Sequence, residues 1–339
     1  MIKVGVFGAT GYTGFEVIKR LRHHKNAQLT FATSESYAGK SLSAVYPVGW
    51  DVPLIPAAGA PLDAVDAVFC CLPHAASMPT VIRARNAGVR VIDLSADFRL
   101  ADAAEYTRWY GVEHTAPHLL TEAVYGIPEI NRTKIARTNL LANPGCYPTS
   151  VILALYPLLQ AGLPAENVPI IADSKSGVSG AGRKLSLKTH FVEVNENLSP
   201  YSIGQQHRHL AEMEQAVRRW GTVSAPVIFS PHLVPISQGM LSTIYVSLNR
   251  DITPAAAQSL FEQAYAAEKL VRVLPPGELA TFAHTRHTDG AAISVTVVSP
   301  RQLILCASID NLGKGAAGQA LQNFNVMFGL DETEGLQLC

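Results

Sequence analysis

The sequence predicts an α/β chain of two domains, and three observations carry that reading. Short apolar runs alternate with longer mixed segments through the first third, a glycine-rich turn follows the first run, and strand candidates crowd together after about Pro148. A length of 339 residues leaves room for about two domains at ~150 each. Hydrophobic residues at 48% and charged residues at 16% give globular composition with material for a core.

Lys3–Phe7 is the first strand, followed by the turn and a helix over about Phe15–His24. Strands follow at Leu29–Thr33, Val65–Leu72, Val89–Leu94 and Asn139–Ala142, with a helix over Ser77–Ala87. Strands alternating with helices predict βαβ units and a parallel sheet covered on both faces. Beyond Pro148 the strands are Val168–Ala172, Val227–Ser230, Leu241–Leu248, Ala292–Val298 and Leu303–Ile309, too close together for βαβ units. Ile293–Val298 and Leu303–Ile309 form an antiparallel hairpin around Ser299–Pro300. His207–Arg219, Pro254–Glu268 and Lys314–Phe328 read as helices. The second region is therefore α+β with a mainly antiparallel sheet.

Charge excludes several classes of function. The 27 basic residues match the 27 acidic ones, so no global field favours nucleic acid and no polybasic run favours a membrane surface. Five cysteines, Cys70, Cys71, Cys146, Cys306 and Cys339, are odd in number and lack the spacing of a zinc site, so neither a disulfide framework nor a metal is expected. The N-terminus opens directly on a strand, and prolines and glycines interrupt the longest uncharged stretch, Thr138–Ala165. These features place the chain in the cytoplasm.

Gly8-Ala9-Thr10-Gly11-Tyr12-Thr13-Gly14 lies between a strand and a helix, where a Rossmann-type dinucleotide turn belongs. Glycines admit the tight turn and close approach to a pyrophosphate, and the helix start offers N–H groups with partial positive charge. The second strand ends in Thr33-Ser34-Glu35-Ser36, with Lys40 beyond. Ser34, Ser36 and Lys40 suit a 2′-phosphate while Glu35 suits a free ribose hydroxyl, so this segment alone leaves NAD and NADP open.

Ala142-Asn143-Pro144-Gly145-Cys146-Tyr147-Pro148-Thr149 puts a cysteine where a strand turns into a helix, a setting that favours the nucleophilic thiolate. Cys70, Cys71 and Cys306 sit inside apolar strands and read as core. A base for Cys146 is sought among eleven histidines. His23, His24, His114, His118, His284 and His287 occupy polar, exposed settings, and His74 lies at the sheet edge where ligands bind. His207-Arg208-His209 opens an amphipathic helix with Glu212 one turn on, matching a base with its orienting carboxylate. His207 is the first choice and His209 the reserve. Ser174–Lys184, holding Ser176 and Gly177, follows a strand as a loop of glycines, hydroxyls and three cations suited to an anion.

Together these segments resemble the N-acetyl-γ-glutamyl-phosphate reductase family, relatives of aspartate-semialdehyde dehydrogenase and more distantly of phosphorylating glyceraldehyde-3-phosphate dehydrogenase. The resemblance spans nearly the whole chain. It rests on Gly8–Gly14, Asp93–Arg99, Tyr125–Glu129, Asn143–Thr149, Ser176–Lys184, His207–His209, Pro231–Pro235 and Asn311–Ala320. It implies a Rossmann domain over residues 1–147 completed by 314–339, and a catalytic, substrate and oligomerisation domain over 148–313. It also implies NADP, with Ser34 and Ser36 near the 2′-phosphate, Asn311 near the nicotinamide, and Arg99 and Asn143 near the phosphoryl group. The activity implied is reduction of an N-acylated glutamyl phosphate through a thioester on Cys146, by a homo-oligomer of two or four subunits. A reductase of aspartyl phosphate or of carrier-linked aminoadipyl phosphate is the alternative.

Overall fold

The computed structural model describes residues 1–221 and 224–338; Cys339, the fifth cysteine and the last residue of the predicted first domain, lies outside them. The chain divides into two compact units. One comprises Met1–Pro144 and Ala316–Leu336, the other Gly145–Gly315 and the residues from Gln337 on.

In the first unit, β1 (Ile2–Phe7), β2 (Ala27–Thr33), β3 (Leu54–Ile55), β4 (Ala67–Cys70), β5 (Arg90–Asp93), β6 (Val124–Tyr125) and β7 (Leu140–Ala142) form one sheet. Its order is β3-β2-β1-β4-β5-β7-β6, with every pairing parallel. The strand order reverses beside β1, and ligands bind at the carboxyl end of such a switch point. The helices are α1 (Tyr12–Leu21), α2 (Met78–Asn86), α3 (Ala103–Tyr110), α4 (Pro117–Leu120), α5 (Pro128–Ile135) and, from the far end of the chain, α10 (Gly318–Met327). All ten residues of α10 are buried, and its Ala320, Leu321 and Phe324 join the core of β1 and β4. That burial explains why a stretch rich in Gln and Asn belongs inside: Asn323 Nδ2 donates to Gly126 O at 2.8 Å, and Asn325 Oδ1 meets His24 Nε2 at 2.8 Å.

The second unit holds a mixed sheet of β8 (Ile170–Gly177), β9 (Ser199–Pro200), β10 (Val227–Val234), β11 (Met240–Ser247), β12 (Val271–Val273), β13 (Ala291–Ser299) and β14 (Gln302–Ile309). The order is β12-β13-β14-β11-β8-β10-β9, antiparallel except for β8–β10 and β12–β13. Its helices are α6 (Cys146–Gln160), α7 (Phe191–Val194), α8 (His209–Trp220) and α9 (Pro254–Tyr265). Twelve of the fifteen α6 residues are buried, so this helix is apolar nearly all round and forms the core against β11 and β14.

Four sequence expectations need correction. Ser174–Gly177 is not loop but the last half of β8, because β10 and β11 pair with it on both sides. The helix expected from His207 begins at His209. His24 and His114 are buried, not exposed, since the first meets Asn325 and the second meets Asp97 O at 2.7 Å. Cys70 and Cys71 are buried as expected, but Cys306 is half-buried.

Candidate active site

The glycine turn of the first unit is shaped by close approach. Gly8 sits at φ +77°, where a side chain is strained, and a Cβ there would lie 2.3 Å from Cys71 O. A Cβ on Gly14 would lie 2.3 Å from Gly8 O, so α1 starts hard against the turn. Gly11 caps α1, no side chain occupies the cap, and Tyr12, Thr13 and Gly14 form the first helical positions. Their N–H groups thus present the positive end of the helix without a competing acidic residue in the first turn. Thr10 Oγ1 and Ser34 Oγ lie 3.0 Å apart, joining the turn to the end of β2. Tyr46 Oη donates to Thr10 O at 3.1 Å while its ring stacks on Phe15 at 3.8 Å. Sequence reasoning missed Tyr46, which carries no motif. Ser36 and Glu35 are exposed, and Glu35 Oε1 accepts from Ala57 N at 2.9 Å. A glycine cradle with an open helix start fits the pyrophosphate of a dinucleotide.

Arg99 and Asn143 are buried at the sheet end of the same unit. Arg99 Nε donates to Asn143 O at 2.7 Å and Nη2 to Leu94 O at 2.9 Å, so the guanidinium ties the ends of β5 and β7. Asn143 Nδ2 donates to Ala316 O at 3.1 Å and its Oδ1 accepts from Asn323 Nδ2 at 3.1 Å. These bonds join the point where the chain leaves the unit to the point where it returns. Beside them, Asp93 accepts from Ser77 Oγ and Ser95 Oγ, each at 2.7 Å. Burial pushes its carboxyl up to about 6, and Asp97 adds to the shift against those hydrogen bonds. Exposed His74 accepts from Ala96 N through Nδ1 at 3.2 Å.

In the second unit, Cys146 is the first residue of α6 and half-buried, with Gly145 as an uncapped N-cap. His209 packs on Gly145: a Cβ there would lie 2.6 Å from Nε2 and 2.8 Å from Cδ2 and Cε1. Glu212, buried in the first turn of α8, accepts from Gly145 N at 3.0 Å. Two residues of one helix therefore hold the residue that precedes the cysteine. On the other side, a Cβ on Gly315 would lie 2.9 Å from Cys146 Cβ and 3.0 Å from Asp310 O. A single π-helical turn, Gly313–Ala317, brings Gly315 there.

His207 occupies a different environment. Its ring meets those of Tyr147, Tyr201, Phe229 and His209 at centroid distances of 4.8–5.6 Å. Its Nδ1 accepts from the His209 backbone N–H at 3.1 Å, leaving the proton of the neutral ring on Nε2. Burial, with the Arg208 charge adding to it, pushes the imidazole down to about 4. Tyr201 Oη donates to Tyr147 Oη at 3.1 Å, and burial raises both phenols above their usual range. Tyr201 was also missed, lying in a stretch without periodicity.

Ser176 and Gly177 end β8: Ser176 Oγ donates to Gly177 O at 3.0 Å, and Gly177 N to Gly239 O at 2.9 Å. Lys175 pairs with Asp173 at 2.5 Å, so this cation is committed within the strand. Asn311 is buried, with Oδ1 accepting from Gly239 N at 2.9 Å and Nδ2 donating to Ser179 Oγ at 2.8 Å. The structure thus brings Cys146, His209 and Glu212 together, with His207 beside them, and gives Asn311 two loops to join.

Among the described residues no cluster of His, Cys, Asp or Glu could hold a metal ion, and no helix is long and apolar enough to cross a membrane. Residues 3–138 match the family model "Semialdehyde dehydrogenase, NAD binding domain", and residues 146–311 match "Semialdehyde dehydrogenase, dimerisation domain". An N-acetyl-gamma-glutamyl-phosphate reductase of Desulforapulum autotrophicum is 47% identical over 100% of this chain and 99% of its own. One from Symbiobacterium thermophilum is 47% identical over 99% and 97%. The fold is similar to that of aspartate semialdehyde dehydrogenase II from Vibrio cholerae, solved with ASA (TM-score 0.75, 19% identity, 97% and 98% covered). It is also similar to the aspartate semialdehyde dehydrogenase of Candida albicans solved with NADP (TM-score 0.71, 16% identity, 97% and 98% covered).

Proposed function

The chain belongs to the N-acetyl-γ-glutamyl-phosphate reductase family, and from that membership we propose how its own residues carry the reaction. It is an NADP-dependent oxidoreductase of arginine biosynthesis, reducing N-acetyl-γ-glutamyl phosphate to N-acetylglutamate 5-semialdehyde and phosphate. Cys146, favoured as thiolate by the start of α6, attacks the acyl carbon, and the C–O bond to phosphate breaks to leave a thioester. Gly8, Thr10, Gly11, Tyr12, Thr13 and Gly14 would hold NADPH, with Ser34 and Ser36 toward its ribose, and the bound cofactor would supply the hydride that the thioester needs. His209 gives a proton to the tetrahedral oxygen as it forms and takes it back as the C–S bond breaks.

The observation that carries this reading is the His209 ring packed on Gly145, next to Cys146. It favours His209 over His207, whose Nδ1 is engaged by a backbone N–H and whose low basicity suits a packing partner. Glu212 holds Gly145 N. Arg99, Asn143 and Asn311 are assigned positioning roles, because they hydrogen-bond to other parts of the protein. Ser176 and Gly177 line the substrate end of β8. Self-association is assigned to the open face of the second sheet, where Ile228, Ile171 and Tyr245 stand in register across β10, β8 and β11 and are 41%, 39% and 42% exposed.

The test is NADP reduction in the reverse direction, comparing N-acetylglutamate semialdehyde with aspartate semialdehyde. Steady turnover should require phosphate and the first substrate, and a burst of NADPH should appear without phosphate. Cys146→Ser should abolish both while NADP still binds. Steady oxidation to the free acid without phosphate would overturn the acyl-phosphate course.

A further inference from the structure

We propose that Arg83 of α2 is the residue that reads the 2′-phosphate of the cofactor, an inference that rests on the NADP assignment and deepens it. The end of β2 poses the problem. An acidic residue there suits a free ribose 2′-hydroxyl and repels a phosphate, and Glu35 is such a residue. Ser34, the buried hydroxyl beside it, is already joined to Thr10 Oγ1. A dianionic group at this edge needs a cation that the strand itself does not carry.

Ala57, just past β3, resolves the difficulty through its two backbone polar atoms. Its N–H donates to Glu35 Oε1 at 2.9 Å, which anchors the carboxylate on the turn Ala57–Gly59. Its carbonyl accepts from Arg83 Nη2 at 2.5 Å. The same guanidinium stands 5.7 Å from the ring centroid of Phe7, the last residue of β1. In the sheet β2 lies between β1 and β3, so a group bracketed by Phe7 and Ala57 lies across the end of β2. Ser34, Glu35 and Ser36 leave the sheet at that point. Arg83 is exposed, so the guanidinium reaches solvent where the phosphate arrives. The other cation of this edge, Lys40, sits 5.8 Å from the ring of Tyr37. A planar guanidinium matches phosphate oxygens with two parallel N–H bonds, which an ammonium cannot do.

The experiment uses binding, not turnover. The full-length protein and its Arg83→Gln and Arg83→Lys variants are titrated calorimetrically with 2′,5′-ADP and with 5′-AMP, which differ only in the 2′-phosphate. The wild-type protein should prefer 2′,5′-ADP. Arg83→Gln should weaken 2′,5′-ADP about 10- to 100-fold, as expected for lost hydrogen bonds between charged groups, and change 5′-AMP less than about twofold. Arg83→Lys should fall between. Equal weakening of both nucleotides, or no change in either, would overturn the role of Arg83 while leaving the NADP assignment intact. A wild-type protein that holds the two equally would overturn the NADP assignment and this role with it.

Discussion

Replacing Gly145 by alanine isolates the contribution of His209 without touching any reacting atom. Gly145 has φ −67° and ψ 153°, an extended conformation that alanine adopts freely. Losing a favoured N-cap residue costs about 1 kcal/mol at most. The steric effect is larger. The new Cβ would stand 2.6 Å from His209 Nε2, whereas such contacts relax at about 3.5 Å, so the ring must withdraw by roughly 0.9 Å. A displacement of about 1 Å in a catalytic group costs about 10²-fold in rate, or about 2.7 kcal/mol of barrier. We expect kcat to fall by about that factor, read by stopped-flow NADPH formation. NADP affinity should hold, and the thermal midpoint should move by only a few degrees. In a His209→Asn background the same substitution should cost almost nothing more, because both changes remove one function. Full activity in Gly145→Ala, or penalties that multiply in the double variant, would refute a role for His209 as acid/base.

Gly315→Ala should be equally damaging by another route, since its Cβ would meet Cys146 Cβ at 2.9 Å; slower alkylation of Cys146 by iodoacetamide would report the displaced thiol. Tyr46→Phe keeps the stack on Phe15 but loses the bond to Thr10 O, so KM for NADPH should rise about 2- to 13-fold, for a bond worth ~0.5–1.5 kcal/mol, while kcat holds. His207 predicts the acid limb of stability. Its folded value of about 4 lies below the usual 6.5, so its contribution is complete above pH 6.5 and is lost as pH falls toward 4, where the unfolded chain takes up the proton first. His207→Phe should flatten the urea midpoint between those values.

Local chemistry made half of the site readable. The turn Gly8–Gly14 and the Cys146 helix start are each a strand, a turn and a helix in immediate succession, so their residues declare their conformation. The parallel sheet was equally plain, because strands buried on both faces become continuous apolar runs. The C-terminal strands of the second sheet showed alternation, which places them on a sheet but says nothing of their partners. The polar end of β8 escaped for that reason: Ser174, Lys175 and Ser176 have no strand signature until β10 and β11 flank them.

What remained was decided by contacts far apart in sequence. His207 and His209 are two residues apart and chemically alike; only the path of the chain puts one ring on Gly145 and the other in an aromatic box. His24 became buried because residues near the C-terminus fold over it, which no local pattern can announce. Glu35 read as a signal about the cofactor, yet a backbone N–H twenty-two residues away holds its carboxylate. Periodicity and turn chemistry act over a few residues and are written in the sequence, whereas the partner of a polar side chain depends on which distant backbone the packed fold brings beside it.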